Sequence, residues 1–132
     1  MFQEILQGNN SGGGSRMTYT ELLPNIISTN GTYTLNDDIS NYDAIIVTMA
    51  ANYLGNYVNK IPQYVTKNAI ATMSRNEYEF FIGASAYVDN LTQDLSSTYY
   101  SFPTNTSIKT SLMQYNSKYR SSIAIISVIG CK

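Results

Sequence analysis

The feature that most constrains this chain is a segment that is apolar on both faces when it is drawn as an extended strand. The segment Asp43–Ala50 splits into two alternating sets: Ile45, Val47 and Met49, and Ala44, Ile46, Thr48 and Ala50. Successive side chains of a strand point to opposite faces of its sheet, so neither face of this strand suits water. The pattern predicts a central strand that is covered on both sides.

The last strand of the chain has the same character. In Tyr119–Ile129, the alternation sets Ile123, Ile125 and Ile129 against Ala124, Ile126 and Val128. The outer face of a sheet in a two-sheet sandwich is normally polar, so a second apolar face needs a cover. Self-association would provide one, and we expect a homo-oligomer. The predicted interface residues are Ala44, Ile46, Ala124, Ile126 and Val128. The alternative is that a loop or the N-terminal peptide covers this face within one subunit.

Further strands are predicted between turn signals along the rest of the chain. They are Tyr19–Leu23, Gly31–Leu35, Ile61–Thr66, Glu77–Asp89, Ser97–Phe102 and Thr106–Met113. Pro62 cannot donate a backbone hydrogen bond and marks its strand as a sheet edge. Residues 52–57 have the composition of a turn or exposed loop, and we expect no helix after residue 17. The predicted fold is an all-β antiparallel sandwich, most simply jelly-roll-like.

The N-terminal region differs in composition from the rest. Phe2, Ile5 and Leu6 are spaced to share one face of a short helix, and the Gly/Ser-rich segment Gly8–Arg16 follows them. We therefore expect residues 1–16 to be an anchor peptide with a flexible linker, and residues 17–132 to be the sandwich domain. The alternative is a disordered leader, or an artificial linker with the natural start at Met17.

Composition argues against several classes of function. The net charge is −1 and only 13% of residues are charged, so neither nucleic acid nor an anionic membrane surface is favoured as a partner. The chain has no His, which removes the usual general base and imidazole metal ligands. It has no apolar run of the roughly 18 residues that a membrane span needs. The lone Cys131 has no partner for an internal disulfide. We expect no cofactor and no metal.

The most suggestive candidates for binding are tyrosines near predicted loops and strand ends: Tyr53, Tyr57, Tyr64, Tyr99 and Tyr100. Sugars place their apolar C–H faces on aromatic rings, while neutral polar groups bond the hydroxyls. These side chains are candidate glycan contacts. The alternative is that they are ordinary strand residues or pack between subunits.

Two weaker chemical possibilities involve carboxylates. Glu77 and Glu79 are predicted to share one strand face at about 7 Å, a spacing compatible with glycoside hydrolysis, although a solvated strand face has the same pattern. Residues 36–38, Asn-Asp-Asp, offer oxygen ligands for Ca²⁺ but lack the spaced acidic residues of a dedicated loop. A turn that caps the next strand is the alternative.

Three segments carry a resemblance to a known family. Residues 35–47 (LNDDISNYDAIIV) resemble the "L-x-L-S-x-Y-D" segment of small β-sandwich domains in bacteriophage tail fibre tips and minor virion structural proteins. Residues 126–132 (ISVIGCK) are similar to the closing "I-x-x-I-Y-G-I" strand of those domains, and the leader resembles the start of short phage structural proteins. This chain has Asp38-Ile39 where a second Leu is common, and Ser127-Val128 in place of an aromatic.

The resemblance implies a virion component, typically a trimer, made in the bacterial host cytoplasm. Such a protein decorates a capsid or tail, or recognises the host surface. It is expected to be a non-enzymatic structural protein that contacts other virion proteins through its N-terminal peptide. The alternatives are a carbohydrate-binding module for host attachment and a cell-wall glycosidase that uses Glu77 and Glu79. The resemblance implies no particular binding residue.

Overall fold

A computed structural model of the chain describes residues 16–53, 55–75, 77, 79–87, 93–115 and 122–132. Within these ranges, residues 53, 84–87, 93–96, 113–115 and 122 are described by their backbone alone. The predicted anchor residues Phe2, Ile5 and Leu6 lie outside the described residues.

Eight strands account for most of the described chain. They are β1 (Tyr19–Glu21), β2 (Gly31–Thr34), β3 (Ala44–Tyr53), β4 (Asn56–Thr66), β5 (Phe80–Tyr87), β6 (Gln93–Ser101), β7 (Ser107–Tyr115) and β8 (Ser122–Cys131). A 3₁₀ turn at Ile39–Asn41 precedes β3, and a short helix, α1 (Lys67–Thr72), follows β4. The strands recur with turn residues between them, as the sequence predicts.

The strands form two antiparallel sheets of four strands each. The first sheet has the order β1-β8-β3-β4, and the second has the order β2-β7-β6-β5. The predicted all-β antiparallel sandwich is confirmed. The pairs β1–β8 and β2–β7 bring the two ends of the chain together, as in a jelly roll. The pairs β3–β4 and β5–β6 are hairpins, the first within the first sheet and the second within the second sheet.

The predicted central strand is β3, which lies between β8 and β4 in the first sheet. Its residues Ile45, Val47 and Met49 are fully buried between the sheets. The core that they join contains, from other elements, Leu22, Ile27, Ile39, Tyr100, Phe102, Ile108, Ile125 and Val128. The prediction that Pro62 lies on an edge is also confirmed, because β4 ends the first sheet.

Local hydrogen bonding changes two of the predicted elements. The segment predicted as a turn or exposed loop, residues 52–57, contains a tight turn at Gly55, whose φ is 88°, and the ends of β3 and β4 extend farther into it than predicted. A single short helix of 6 residues, α1, interrupts the predicted series of strands in the described ranges: the Thr66 side chain accepts a bond from Ala69 N (3.1 Å) and caps it. Burial of Ile70 holds this short helix against the core.

A β-bulge in β8 shifts its side-chain alternation. Thr48 pairs with Ser127, but the next residue, Met49, pairs with Ile125, so Ile126 is an extra residue in the ladder. Beyond the bulge Val128 faces the core, where it is fully buried, and Ile129 faces outward. The assignment of Val128 to the outer face was therefore wrong, because regular alternation does not anticipate the inserted residue.

Candidate binding surfaces

The first candidate surface is the outer face of the first sheet, which we call the assembly face. Cross-strand pairing places Ile46 of β3 between Tyr64 of β4 and Ile129 of β8. The apolar cluster on this face also contains Met17, Tyr19, Ala44 and Cys131. Tyr64 remains 43% exposed, and Met17, Tyr19 and Ile129 are half-buried. The second apolar face predicted from the sequence is therefore present.

The chain itself covers part of this face. Ala44 and Cys131 have no exposed surface and Ile46 retains only 5%, since Met17 and Tyr19 pack against them. This agrees in part with the alternative that cover comes from within one subunit. Met17, Tyr19 and Ile129 pack over these buried residues and still contact solvent.

The assembly face is electrically neutral over most of its described area. Burial, with Cys131 and Tyr64 nearby, raises the pKa of the Tyr19 hydroxyl, so this group stays uncharged at neutral pH. Burial also raises the pKa of the Cys131 thiol, which disfavours the reactive thiolate. At the margin, the Glu21 carboxylate accepts bonds from Ser127 Oγ (2.7 Å) and Val128 N (2.9 Å).

The predicted interface residues fall into three environments. Ala44 and Ile46 lie on the assembly face, and Ala124 pairs with Ala50 farther along the same face. Ile126 is half-buried at the bulge, and Val128 is in the core. The alternation analysis missed Ile129 as an outward residue, since only the bulge brings it there.

The second candidate surface lies on the outer face of the second sheet. Phe81 of β5 and Tyr99 of β6 pair across the strands, with ring centroids 4.9 Å apart and ring planes at 51°. Phe81 is 48% exposed and Tyr99 is 38% exposed. The Phe81 ring lies beside Gly83, where an added Cβ would be 2.9 Å from Phe81 Cε1. We call Phe81, Gly83 and Tyr99 the aromatic platform.

Neutral hydroxyl groups surround the aromatic platform. Ser97, which is buried, pairs with Gly83, and the half-buried Ser111 pairs with Tyr99, while Thr32 is exposed farther across the same face. Lys109 of β7, which pairs with Thr32 on this face, is half-buried and engaged in a contact. Exposed aromatic rings with neutral polar neighbours suit the C–H face and hydroxyls of a sugar ring.

The five candidate tyrosines do not converge on one site. Tyr64 is on the assembly face, and Tyr57 is half-buried in β4 opposite Asn52. Tyr99 is on the aromatic platform, on the other sheet. The side chain of Tyr53 lies outside the description. The sequence analysis did not select Phe81, whose pairing with Tyr99 depends on the β5–β6 register.

Tyr100 was wrongly assigned as a glycan contact, since it has no exposed surface. Strand alternation turns it inward next to the outward Tyr99, and its ring centroid lies 5.2 Å from Phe80 and 5.9 Å from Phe102. Its hydroxyl donates a hydrogen bond to Gln63 Oε1. Burial raises the pKa of Tyr100 far above the ordinary value of 10.0, so the phenol remains neutral.

The carboxylate candidates also change. Glu77 and Glu79 are exposed and precede β5, which begins at Phe80, so the prediction that they share one strand face is wrong. In the turn before β3, Asp37 accepts bonds from Tyr42 Oη and Asp38 N, both at 2.8 Å. Asp38 caps the 3₁₀ turn by accepting a bond from Ser40 N. These protein donors favour the capping interpretation over a Ca²⁺ site.

Comparison with other proteins gives no further assignment. No protein-family model matches the chain, and no curated protein matches it. In the described ranges, no three or more Cys, Asp or Glu side chains are grouped so that they could hold a metal ion. None of the described helices is long and apolar enough to cross a membrane.

Proposed function

We propose that this chain is a non-enzymatic structural protein of a bacteriophage particle, a fibre knob or decoration domain that assembles as a homotrimer through the assembly face. The observation that carries this proposal is the apolar character of that face. Tyr64, Met17, Tyr19 and Ile129 keep exposed surface above an already buried cluster. Removing such surface from water is favourable by about 25 cal/mol per Å² of apolar area.

The virion assignment rests on the resemblance of residues 35–47 and 126–132 to phage fibre domains. In this fold the two segments are neighbours, since β3 pairs with β8 along nearly its whole length. The Tyr42 ring of the first segment also packs over Gly130 of the second. Two segments that resemble one family therefore form one structural unit, which supports the proposal.

The test of assembly uses two tyrosines of similar exposure on opposite sheets. Tyr64→Glu puts a charge on the assembly face, and Tyr99→Glu is the matched control. We expect light scattering on a sizing column to show a trimer for the full-length protein and for Tyr99→Glu, and a smaller species for Tyr64→Glu. Retention of the same mass by Tyr64→Glu would contradict assembly through this face.

The anchoring part of the proposal has its own test. Residues Phe2, Ile5 and Leu6 are proposed to attach the domain to other virion proteins, so deletion of residues 1–7 should abolish incorporation into particles. The truncated protein should retain the circular dichroism spectrum and the number of subunits of the full-length protein. Undiminished incorporation would rule out the anchor while leaving the assembly face untouched.

A second candidate function is recognition of a host-surface glycan by the aromatic platform. The specific observation in its favour is the exposed Phe81–Tyr99 pair amid neutral hydroxyl groups. Stacking of a sugar ring on these aromatic rings requires no charged group, in keeping with the low charge of the chain.

Glycan recognition is tested by calorimetry with soluble neutral oligosaccharides, which report the affinity of a single site. Phe81→Ala and Tyr99→Ala should each weaken binding at least tenfold, while Tyr64→Ala, on the opposite sheet, should bind as the unmodified chain does. If the Phe81 and Tyr99 variants bind as well as the Tyr64 variant, the platform is not a glycan site.

A further inference from the structure

The four edge strands of this sandwich differ in how they are protected against pairing with another chain. The edges of the first sheet are β1 and β4, and those of the second are β2 and β5. β1 has only 3 residues and β2 only 4. β4 carries Pro62 and Lys60, and a bulge at Asn59, whose φ is 53°. Short length, proline, lysine and bulges are the features that discourage edge-to-edge pairing.

β5 has none of these protections. It runs for 8 residues with the sequence FFIGASAY, without proline and without a charged residue. Its pairing with β6 is continuous from Phe80 to Tyr87, with no register shift. A regular, uncharged edge strand of this length is a template for strand addition.

The backbone geometry shows which groups of β5 face the free edge. The Phe81 carbonyl accepts a bond from Gln63 Nε2 of β4 (2.8 Å), so it points away from β6. Backbone groups of a strand alternate between its two sides, so Gly83 and Ser85 point the same way as Phe81. In the described part of the chain, the ladder partner of β5 is β6 alone.

We propose that the free edge of β5 pairs antiparallel with β5 of a second copy of this chain. The pairing joins two four-stranded sheets into one continuous sheet with four strands from each copy. In a twofold pair, β5 lies beside β5 of the second copy, so a charged residue on this strand would lie near the same charge on the partner strand. The uncharged sequence of β5 fits this requirement.

The outer-face side chains next to the edge add to the argument for self-pairing. Phe81 is 48% exposed, and among the described strands its only cross-strand partner lies on β6. A paired copy would supply a cross-strand neighbour, a contact worth about 0.2–1 kcal/mol per pair in sheets. The surface involved lies on the second sheet, so it is distinct from the assembly face.

The test replaces one free-edge amide by proline. In Ser85→Pro, the lost N–H is one that points away from β6, so the internal ladder stays intact. Thr32→Pro is the matched control on β2: Leu35 N donates to Thr106 O (2.8 Å), and alternation from Leu35 therefore points Thr32 toward the free edge. Both variants are made in the full-length Tyr64→Glu protein, so that this contact is isolated from the assembly face.

In the Tyr64→Glu background, sedimentation equilibrium should show that Ser85→Pro lowers the mass from that of a dimer to that of a monomer, while Thr32→Pro leaves the dimer unchanged. In amide hydrogen exchange, Gly83 and Ser85 of the unmodified chain should gain protection as protein concentration rises. A Tyr64→Glu protein that is monomeric at all concentrations would overturn the proposal. So would an equal loss of mass in both proline variants, or exchange at Gly83 and Ser85 that is independent of concentration.

Discussion

Gly130 of β8 lies directly beneath the ring of Tyr42, where the chain has no room for a side chain. A Cβ at this position would be 2.4 Å from Tyr42 Cδ1 and 2.6 Å from both Cε1 and Cγ. The ring cannot move aside freely, because Tyr42 is buried and its hydroxyl donates to Asp37 Oδ2 (2.8 Å). The need for glycine here is therefore one of space.

We expect Gly130→Ala to lower the free energy of unfolding by about 1–3 kcal/mol, the usual cost of overpacking a core. Urea unfolding followed by fluorescence measures the change. In a Tyr42→Ala background, the same substitution should cost much less, because the clashing atoms are gone. Equal costs in the two backgrounds would show that the ring is not the obstacle.

Asp37 makes the stability of the turn before β3 depend on pH. Hydrogen bonds from Tyr42 and from Asp38 N hold the pKa of this carboxyl below its ordinary value of 3.8. A carboxyl with a lowered folded pKa stabilises the fold fully above its unfolded pKa, and this contribution is lost as pH falls through the folded pKa.

Asp37→Asn should therefore be less stable than the unmodified chain at neutral pH, and the difference should shrink as the pH falls below 3.8. Urea unfolding at a series of pH values measures it. Tyr42→Phe removes the principal donor and should reduce the same pH dependence. Identical pH profiles for Asp37→Asn and the unmodified chain would contradict this role.

At the scale of elements, the bulge in β8 decides which residues reach the core. Val128 and Ile129 are adjacent, and both are apolar, yet the first is fully buried between the sheets and the second lies half-buried on the assembly face. The extra residue, Ile126, reverses the faces that simple alternation assigns.

Lysine substitutions distinguish the two faces. Val128→Lys should destabilise the fold by at least about 3 kcal/mol, because it buries an unpaired charge, and most of the protein should be unfolded. Ile129→Lys should remain folded, with a small loss, because its side chain reaches solvent. Circular dichroism and the urea midpoints of unfolding rank the stabilities of the two variants. A folded Val128→Lys protein together with an unfolded Ile129→Lys protein would refute the bulged register.

At the scale of the whole molecule, the sandwich separates the two candidate surfaces. The assembly face and the aromatic platform are outer faces of different sheets, so the core lies between them. Burying the first surface in an oligomer leaves the second facing away from it. The proposed self-assembly and the proposed glycan recognition are thus compatible, and in the proposed oligomer each copy would add one platform.

This separation predicts that Tyr64→Glu leaves the affinity of a single platform for a soluble oligosaccharide unchanged. On a dense glycan surface, the same variant should bind more weakly, because fewer platforms are joined in one particle. Calorimetry and surface binding measure the two quantities. A fall in single-site affinity would mean that the two faces are coupled through the core.

Local chemistry in the sequence was enough to predict the class of fold and its central strand. Alternation in residues 43–50 marks β3 as buried on both faces, because the period of a strand depends on backbone geometry alone. Pro62 indicates an edge for a similarly local reason, since it has no N–H to donate. These features hold whatever the neighbouring strands are.

Register and tertiary contacts decided the rest. The bulge at Ile126 follows from how β8 fits β3, and it moved Val128 from the predicted interface into the core. Tyr100 turned inward while its neighbour Tyr99 met Phe81, a pairing set by the β5–β6 ladder. Alternation within one strand states which residues share a face, but only packing between strands determines which face is inside and which side chains meet.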